Sequence, residues 1–187
     1  MHTLALALLL SQAPGDGWAL AQVPPREVKT LYWEVFSSSE TFVSLIPADS
    51  QGGPPRVRLI FQAFFDGKEP KGTPIRIVLR VFPLPLTVLK DYSLRLVLEK
   101  DTVDLGRGCV SPSGVGPPCQ LLFPPNDESW NASGVLVDLE PALLRRFAAA
   151  TSVTGVTLGF PITLSSEDRA AVARFAKAIH LGAASRK

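Results

Sequence analysis

Histidine is almost missing from this chain. Two imidazoles, His2 and His180, occur in 187 residues, beside two cysteines and one methionine. A Ser-His-Asp or Cys-His arrangement needs an imidazole to shuttle the proton. His180 falls just past an expected helix near the C-terminus, where the dipole stabilises it as a helix-end residue. A zinc site of the usual kind draws on several His or Cys ligands, and none can be assembled here without both cysteines. Phosphate cradles are lacking too: Gly106-Arg107-Gly108 has no third glycine and does not join a strand to a helix. No cofactor is expected. A surplus of one charge is also absent. Nineteen Lys and Arg against 17 Asp and Glu leave +2, which does not argue for nucleic acid as a partner. No apolar run reaches the about 20 residues of a transmembrane helix.

What is present describes a packed domain with many turns. The hydrophobic share is 46%, typical of a chain with a core. Fourteen glycines and 17 prolines point to short elements between turns rather than long helices.

The first segment reads as an address. Thr3 to Leu10 is an uncharged apolar run of signal-peptide length, although its n-region offers only the α-amino group and His2 where Lys or Arg is usual. Cleavage is expected after Ala21, at Ala19-Leu20-Ala21; Ser11-Gln12-Ala13 is the alternative, with Pro14 just behind it. Residues 1–21 are then a secretory signal peptide, 22–30 a linker, 31–182 a single β-rich domain and 183–187 a tail. The expected location is secreted or periplasmic. In that setting Cys109 and Cys119, which lack metal or redox spacing, are expected to form a structural disulfide. Closing such a Gly- and Pro-rich loop is worth about 2–3 kcal/mol by the chain-entropy argument.

Alternating apolar residues mark strands. Leu31 to Phe36 and Thr41 to Ile46 suit a hairpin across Ser37–Glu40. Val57 to Phe65, Ile75 to Phe82 and Tyr92 to Glu99 each place one apolar stripe opposite a polar one. Gln120 to Phe123, Gly134 to Leu139 and Val153 to Ile162 complete the set. Pro141 to Ala149 reads as a helix with Pro in its first turn. Ser165 followed by Asp168 opens a second helix with an approximate capping box, whose stripe is Val172, Phe175, Ala176 and Ile179; Gly182 is its expected stop. The fold class expected is mainly β, an antiparallel sandwich-like domain with one or two short helices, the C-terminal one packed on a sheet; a two-layer α+β fold is the alternative. Ile60, Phe64, Val78 and Val97 interrupt the polar faces of their strands and are expected to receive that helix. Trp33, alternating with Leu31 and Val35, is expected in the core.

The candidate site residues are arginines. If three of the strands share a sheet, Arg58, Arg76, Arg80 and Arg95 face away from the core and form a basic surface, where forked guanidinium groups suit carboxylates and phosphates. Opposing acids on neighbouring strands would neutralise them. Trp130, in the polar loop Asn126–Ser133, is a candidate anchor or a lid over the core; Asn131-Ala132-Ser133 in the same loop is a glycosylation sequon. Paired acids at Asp127 and Glu128 are the alternative, a carboxylate-dependent hydrolase. Asp101 and Asp104 form a second acidic cluster without EF-hand spacing. The function expected is an exported, non-enzymatic binding or interaction domain of the cell envelope or extracellular space. Its partner is expected to be an envelope component, an anionic polymer or another protein. A structural or assembly subunit pairing through a strand edge is a further alternative.

Overall fold

The structure is a computed structural model that describes residues 24–84, 93–105, 119–122 and 134–181, with the side chains of 119–122 and of Gly134 left out. In chain order the elements are β1 (Val28–Trp33), a 3-10 turn (Glu34–Phe36), β2 (Ser38–Leu45), β3 (Ala48–Asp49), β4 (Val57–Asp66), β5 (Arg76–Pro83), β6 (Leu94–Leu98), β7 (Asp101–Asp104), β8 (Cys119–Leu122), β9 (Gly134–Asp138), α1 (Pro141–Ala149), β10 (Val153–Thr157), β11 (Phe160–Thr163) and α2 (Ser166–Ala178). They make two antiparallel sheets, one of six strands ordered β1-β2-β4-β5-β9-β8 and one of five ordered β3-β11-β10-β6-β7. The fold is mainly β and sandwich-like, with two short helices, as the alternation predicts.

Period-two alternation sets the core. Val57, Leu59, Phe61, Ala63 and Phe65 of β4 are all buried, as are Ile77, Leu79 and Val81 of β5 and Leu94, Leu96 and Leu98 of β6. These inner faces share one hydrophobic cluster with both helices. Phe61 lies at its centre, with Phe147 of α1 edge-on at 5.6 Å and Phe175 of α2 tilted at 6.3 Å. Such pairings add about 0.5–1.5 kcal/mol to the burial itself.

The C-terminal helix packs on the face opposite to the expected one. Ile60, Phe64 and Val78 do not receive it; Phe175 meets Phe61 on the inner face instead, and Val97 lies in the five-stranded sheet. The reason is polarity. The stripe of α2, with Ala171, Val172, Phe175, Ala176 and Ile179 all buried, carries no group able to satisfy the Glu40, Gln62 and arginines that share a face with Ile60. It matches the apolar inner face.

Three local readings are also corrected. β1 begins at Val28, inside the expected linker, and ends at Trp33, because the chain leaves the strand through the 3-10 turn and a left-handed Ser37 (φ 48). Val35 consequently stands 90% exposed. Trp33 is partly exposed on the sheet's outer face and donates its indole N–H to Glu40, so it is not a core residue. The stretch 153–162 is a hairpin rather than one strand. Leu158 (φ 54) and Gly159 (φ 79) both turn left-handed between Thr157 and Phe160, the two-residue geometry whose twist matches the flanking strands.

The capping box of α2 forms as read from the sequence. Ser165 Oγ accepts from the Asp168 N–H at 3.1 Å, and Asp168 Oδ2 accepts from the Ser165 N–H at 3.0 Å. Asp168 also holds the N-terminal segment: Arg26 Nε donates to its Oδ1 at 2.8 Å, and the guanidinium reaches Glu167 as well. The hydrogen bond that Arg26 donates to Asp168 raises the Arg26 pKa above its ordinary value. Arg174 donates to the Arg26 carbonyl at 3.2 Å. The two ends of the described chain are thereby strapped together.

Candidate functional site

The six-stranded sheet has an outer face as well as an inner one, and the strand registers lay it out in rows. Across β2, β4 and β5, Ser44 lies opposite Ile60 and Ile60 opposite Arg80; Phe42 lies opposite Gln62 and Gln62 opposite Val78; Glu40 lies opposite Phe64 and Phe64 opposite Arg76. β1 adds Lys29, Leu31 and Trp33, and β9 adds Leu136 and Asp138. The outer face of an antiparallel sheet is ordinarily solvated. Here its centre is dry: Phe42, Ile60, Val78 and Leu136 are buried, together with the polar Ser44, Glu40 and Gln62. Phe42 and Ile60 form a second small hydrophobic cluster, against which Leu31 and Phe82 pack.

Glu40 is the acid at that centre, 5% exposed. Its Oε1 accepts from the Gln62 side-chain N–H and its Oε2 from Trp33 Nε1 at 3.1 Å. Gln62 is fully buried, and its own Oε1 has no hydrogen-bond partner, nor has the Ser44 Oγ. A buried acceptor without a donor costs about 1–3 kcal/mol. Sequence reading missed both residues. Glu40 looks like the last residue of a polar turn, whereas a glutamine inside Val57 to Phe65 is a detectable signal, since an apolar strand has little use for it.

Three of the four expected arginines share this face. Arg58, Arg76 and Arg80 are half-buried there. Arg58 and Arg80 are diagonal neighbours on β4 and β5, Arg80 directly opposite Ile60 and Arg58 two residues before it, and burial lowers the Arg58 pKa below its usual value. Arg76 forks onto Asp138, with Nε to Oδ1 at 2.5 Å and Nη2 to Oδ2 at 3.2 Å. Arg95 is placed elsewhere. It belongs to β6 in the other sheet, facing Asp104 of β7 at 3.5 Å, because the chain changes sheet between β5 and β6. The basic surface imagined for all four is therefore divided between the two sheets, and Arg76 and Arg95 each face an acid on a neighbouring strand.

The remaining candidates are quickly placed. Asp101 and Asp104 are the two ends of β7, the last strand of its sheet among the described residues, and Asp101 pairs with Arg146 of α1 at 2.9 Å. His180 is exposed beyond α2 in a left-handed conformation (φ 58). Cys119 opens β8; its side chain, Cys109, Asp127, Glu128, Trp130 and the Asn131 sequon lie outside the described residues. Among the described residues no group of three or more His, Cys, Asp or Glu could hold a metal ion. No described helix is long and apolar enough to cross a membrane. The chain matches no family model, no curated protein and no solved structure.

Proposed function

We propose that this chain is an exported, non-enzymatic binding domain, and that the outer face of its six-stranded sheet meets an anionic polymer of the envelope or extracellular space. The observation that supports the reading is the diagonal pair Arg58 and Arg80 on adjacent strands, half-buried around Ile60, with Arg58 desolvated enough to lower its pKa. Sheet geometry brings such diagonal neighbours within about 7–8 Å, close enough for one anionic group to lie against both guanidinium forks. Partly desolvated guanidinium groups form stronger charge-assisted bonds to sulfate, phosphate or carboxylate than fully hydrated ones. Export rests on the apolar run Thr3 to Leu10, and the absence of turnover rests on the scarcity of imidazole.

Retention on an immobilised sulfated polysaccharide tests it. The parent chain is expected to bind and to elute with salt, because exposed charge pairs are screened. Arg58→Ala/Arg80→Ala is expected to elute at markedly lower salt, and Arg95→Ala, on the other sheet, at the parent position. Failure of the parent to be retained, or identical elution of all three, refutes the reading.

A further inference from the structure

Independently of any anionic ligand, the geometry points to self-association: two copies of this chain pair antiparallel through β1, with Leu31 of each copy on the two-fold axis, so that the six-stranded sheets run on into one another. β1 ends the six-stranded sheet among the described residues, and its second edge has no described partner strand. An open edge is normally blunted by charge, above all lysine, by proline, by a bulge or by shortness. β1 has no proline and no bulge, and its one lysine, Lys29, is paired with Glu27 at 3.4 Å. The strand is six residues, Val28-Lys-Thr-Leu-Tyr-Trp33, in unbroken register with β2, and its Tyr32 is 38% exposed.

The occupant follows from pairing rules. Cross-strand partners share a face of the sheet, and β1 sends Lys29, Leu31 and Trp33 to the outer face and Val28, Thr30 and Tyr32 to the inner one. A two-fold axis perpendicular to a continuous sheet keeps the faces apart, so an odd residue must lie opposite an odd one. Two central registers remain. With Thr30 on the axis, each Lys29 would lie against a Leu31 of the second copy, an ammonium on an aliphatic side chain, twice. With Leu31 on the axis, the two leucines cover each other. Each Lys29 then faces Trp33 of the second copy, whose indole is bonded to the Glu40 carboxylate, so the cation meets an aromatic face and a nearby negative charge. The second register also continues existing packing. Leu31 already leans on the Phe42 and Ile60 cluster, and the axis would join the two clusters through the leucine pair.

Sedimentation of the full chain over a wide concentration range, with disulfide mapping of variants that each add one cysteine to the native Cys109 and Cys119, tests this. A concentration-dependent dimer is expected. Leu31→Lys, which sets like charges face to face on the axis, is expected to be monomeric while keeping the parent's circular dichroism. Under mild oxidation Leu31→Cys is expected to yield a peptide linked to its own copy, since directly opposed residues lie within disulfide reach; Thr30→Cys, offset by two residues from its copy, is expected not to link. A chain monomeric throughout, a dimer indifferent to Leu31→Lys, or linkage through Thr30→Cys in place of Leu31→Cys overturns the proposal. Loss of polysaccharide binding by Arg58→Ala/Arg80→Ala leaves these outcomes unchanged, so the two proposals fail separately.

Discussion

Gly155→Ala should cost stability at a position where the simplest rule predicts a gain. Gly155 sits in the middle of β10, opposite Leu96 of β6 and Ile162 of β11, and its φ lies outside the left-handed region. An alanine could adopt that backbone, and the entropy lost by the unfolded chain would favour the replacement by about 0.4–1 kcal/mol. Sterics oppose it. A Cβ there would stand 2.3 Å from the Arg95 carbonyl oxygen and 2.9 Å from the Leu96 Cα. Both are backbone atoms of the neighbouring strand, so no side chain can swing aside and β10 must part from β6. Overpacking of this kind costs about 1–3 kcal/mol or more, and rigid backbone places it at the upper end. Subtracting the entropic gain leaves a net loss of about 2 kcal/mol. For a chain of this size that lowers the melting temperature by roughly 4–8 °C. Equilibrium urea unfolding measures it: the midpoint should fall with an unchanged slope. Gly67→Ala is the comparison, because Gly67 has φ +81 with nothing within 4 Å and should lose only the about 1–2 kcal/mol of a left-handed alanine. A Gly155→Ala protein as stable as its parent would refute the close approach of β10 and β6.

Two further outcomes follow from the charged residues. Arg26→Ala should destabilise by about 1–2 kcal/mol in urea, less than the 3–5 of a wholly buried pair, since the Arg26 side chain is 38% exposed while Asp168 is 1% exposed; in a double-mutant cycle with Asp168→Asn the two losses should be less than additive. Arg58→Met should raise stability by about 0.5–1 kcal/mol while weakening retention on the sulfated polysaccharide. The sign comes from the lowered pKa: a base that binds its proton less tightly when folded is held charged against the fold at neutral pH, so stability rises as strong alkali approaches that pKa. A less stable Arg58→Met protein would show that the bonds of the guanidinium outweigh its burial.

The legible part of the fold was the part written in one-dimensional periods. β4, β5 and β6 place the alternate residues that the sequence marks as apolar in the core, except Ile75, which precedes β5 and is 58% exposed, and the α2 stripe and cap at Ser165 fall where their spacing puts them. Pairing between distant strands was not legible. Nothing local distinguishes Arg95 from Arg76; only the passage of the chain to the second sheet separates them. Nor does period two distinguish the inner face of β4 from the outer. Ile60 and Phe64 looked like a docking strip for the helix because apolar residues on a polar face demand cover, and the cover they find is their own sheet neighbours, Phe42 and Arg80 for one, Glu40 and Arg76 for the other. The turn at Leu158 escaped for another reason. Its left-handed leucine is imposed by the strands on either side, against the residue's own preference.

The outer face reads best as a compromise held for a purpose other than folding. A sheet that needed only stability would fill the places of Glu40, Gln62 and Ser44 with aliphatic side chains, since replacing buried polar groups by packed apolar ones is often neutral or stabilising. Instead the protein keeps a carboxylate 5% exposed, spends one indole and one amide donor on it, and leaves the other end of that amide unanswered. The arrangement does have a geometric effect. It fixes Trp33 beside Glu40 at the β1 edge and places Gln62 beside Ile60, which neighbours both Arg58 and Arg80. The buried polar row therefore runs between the two regions where this domain is expected to meet other molecules, the arginine pair and the open edge of β1, and it gives a physical reason why one sheet face should be dry at its centre and charged toward its rim.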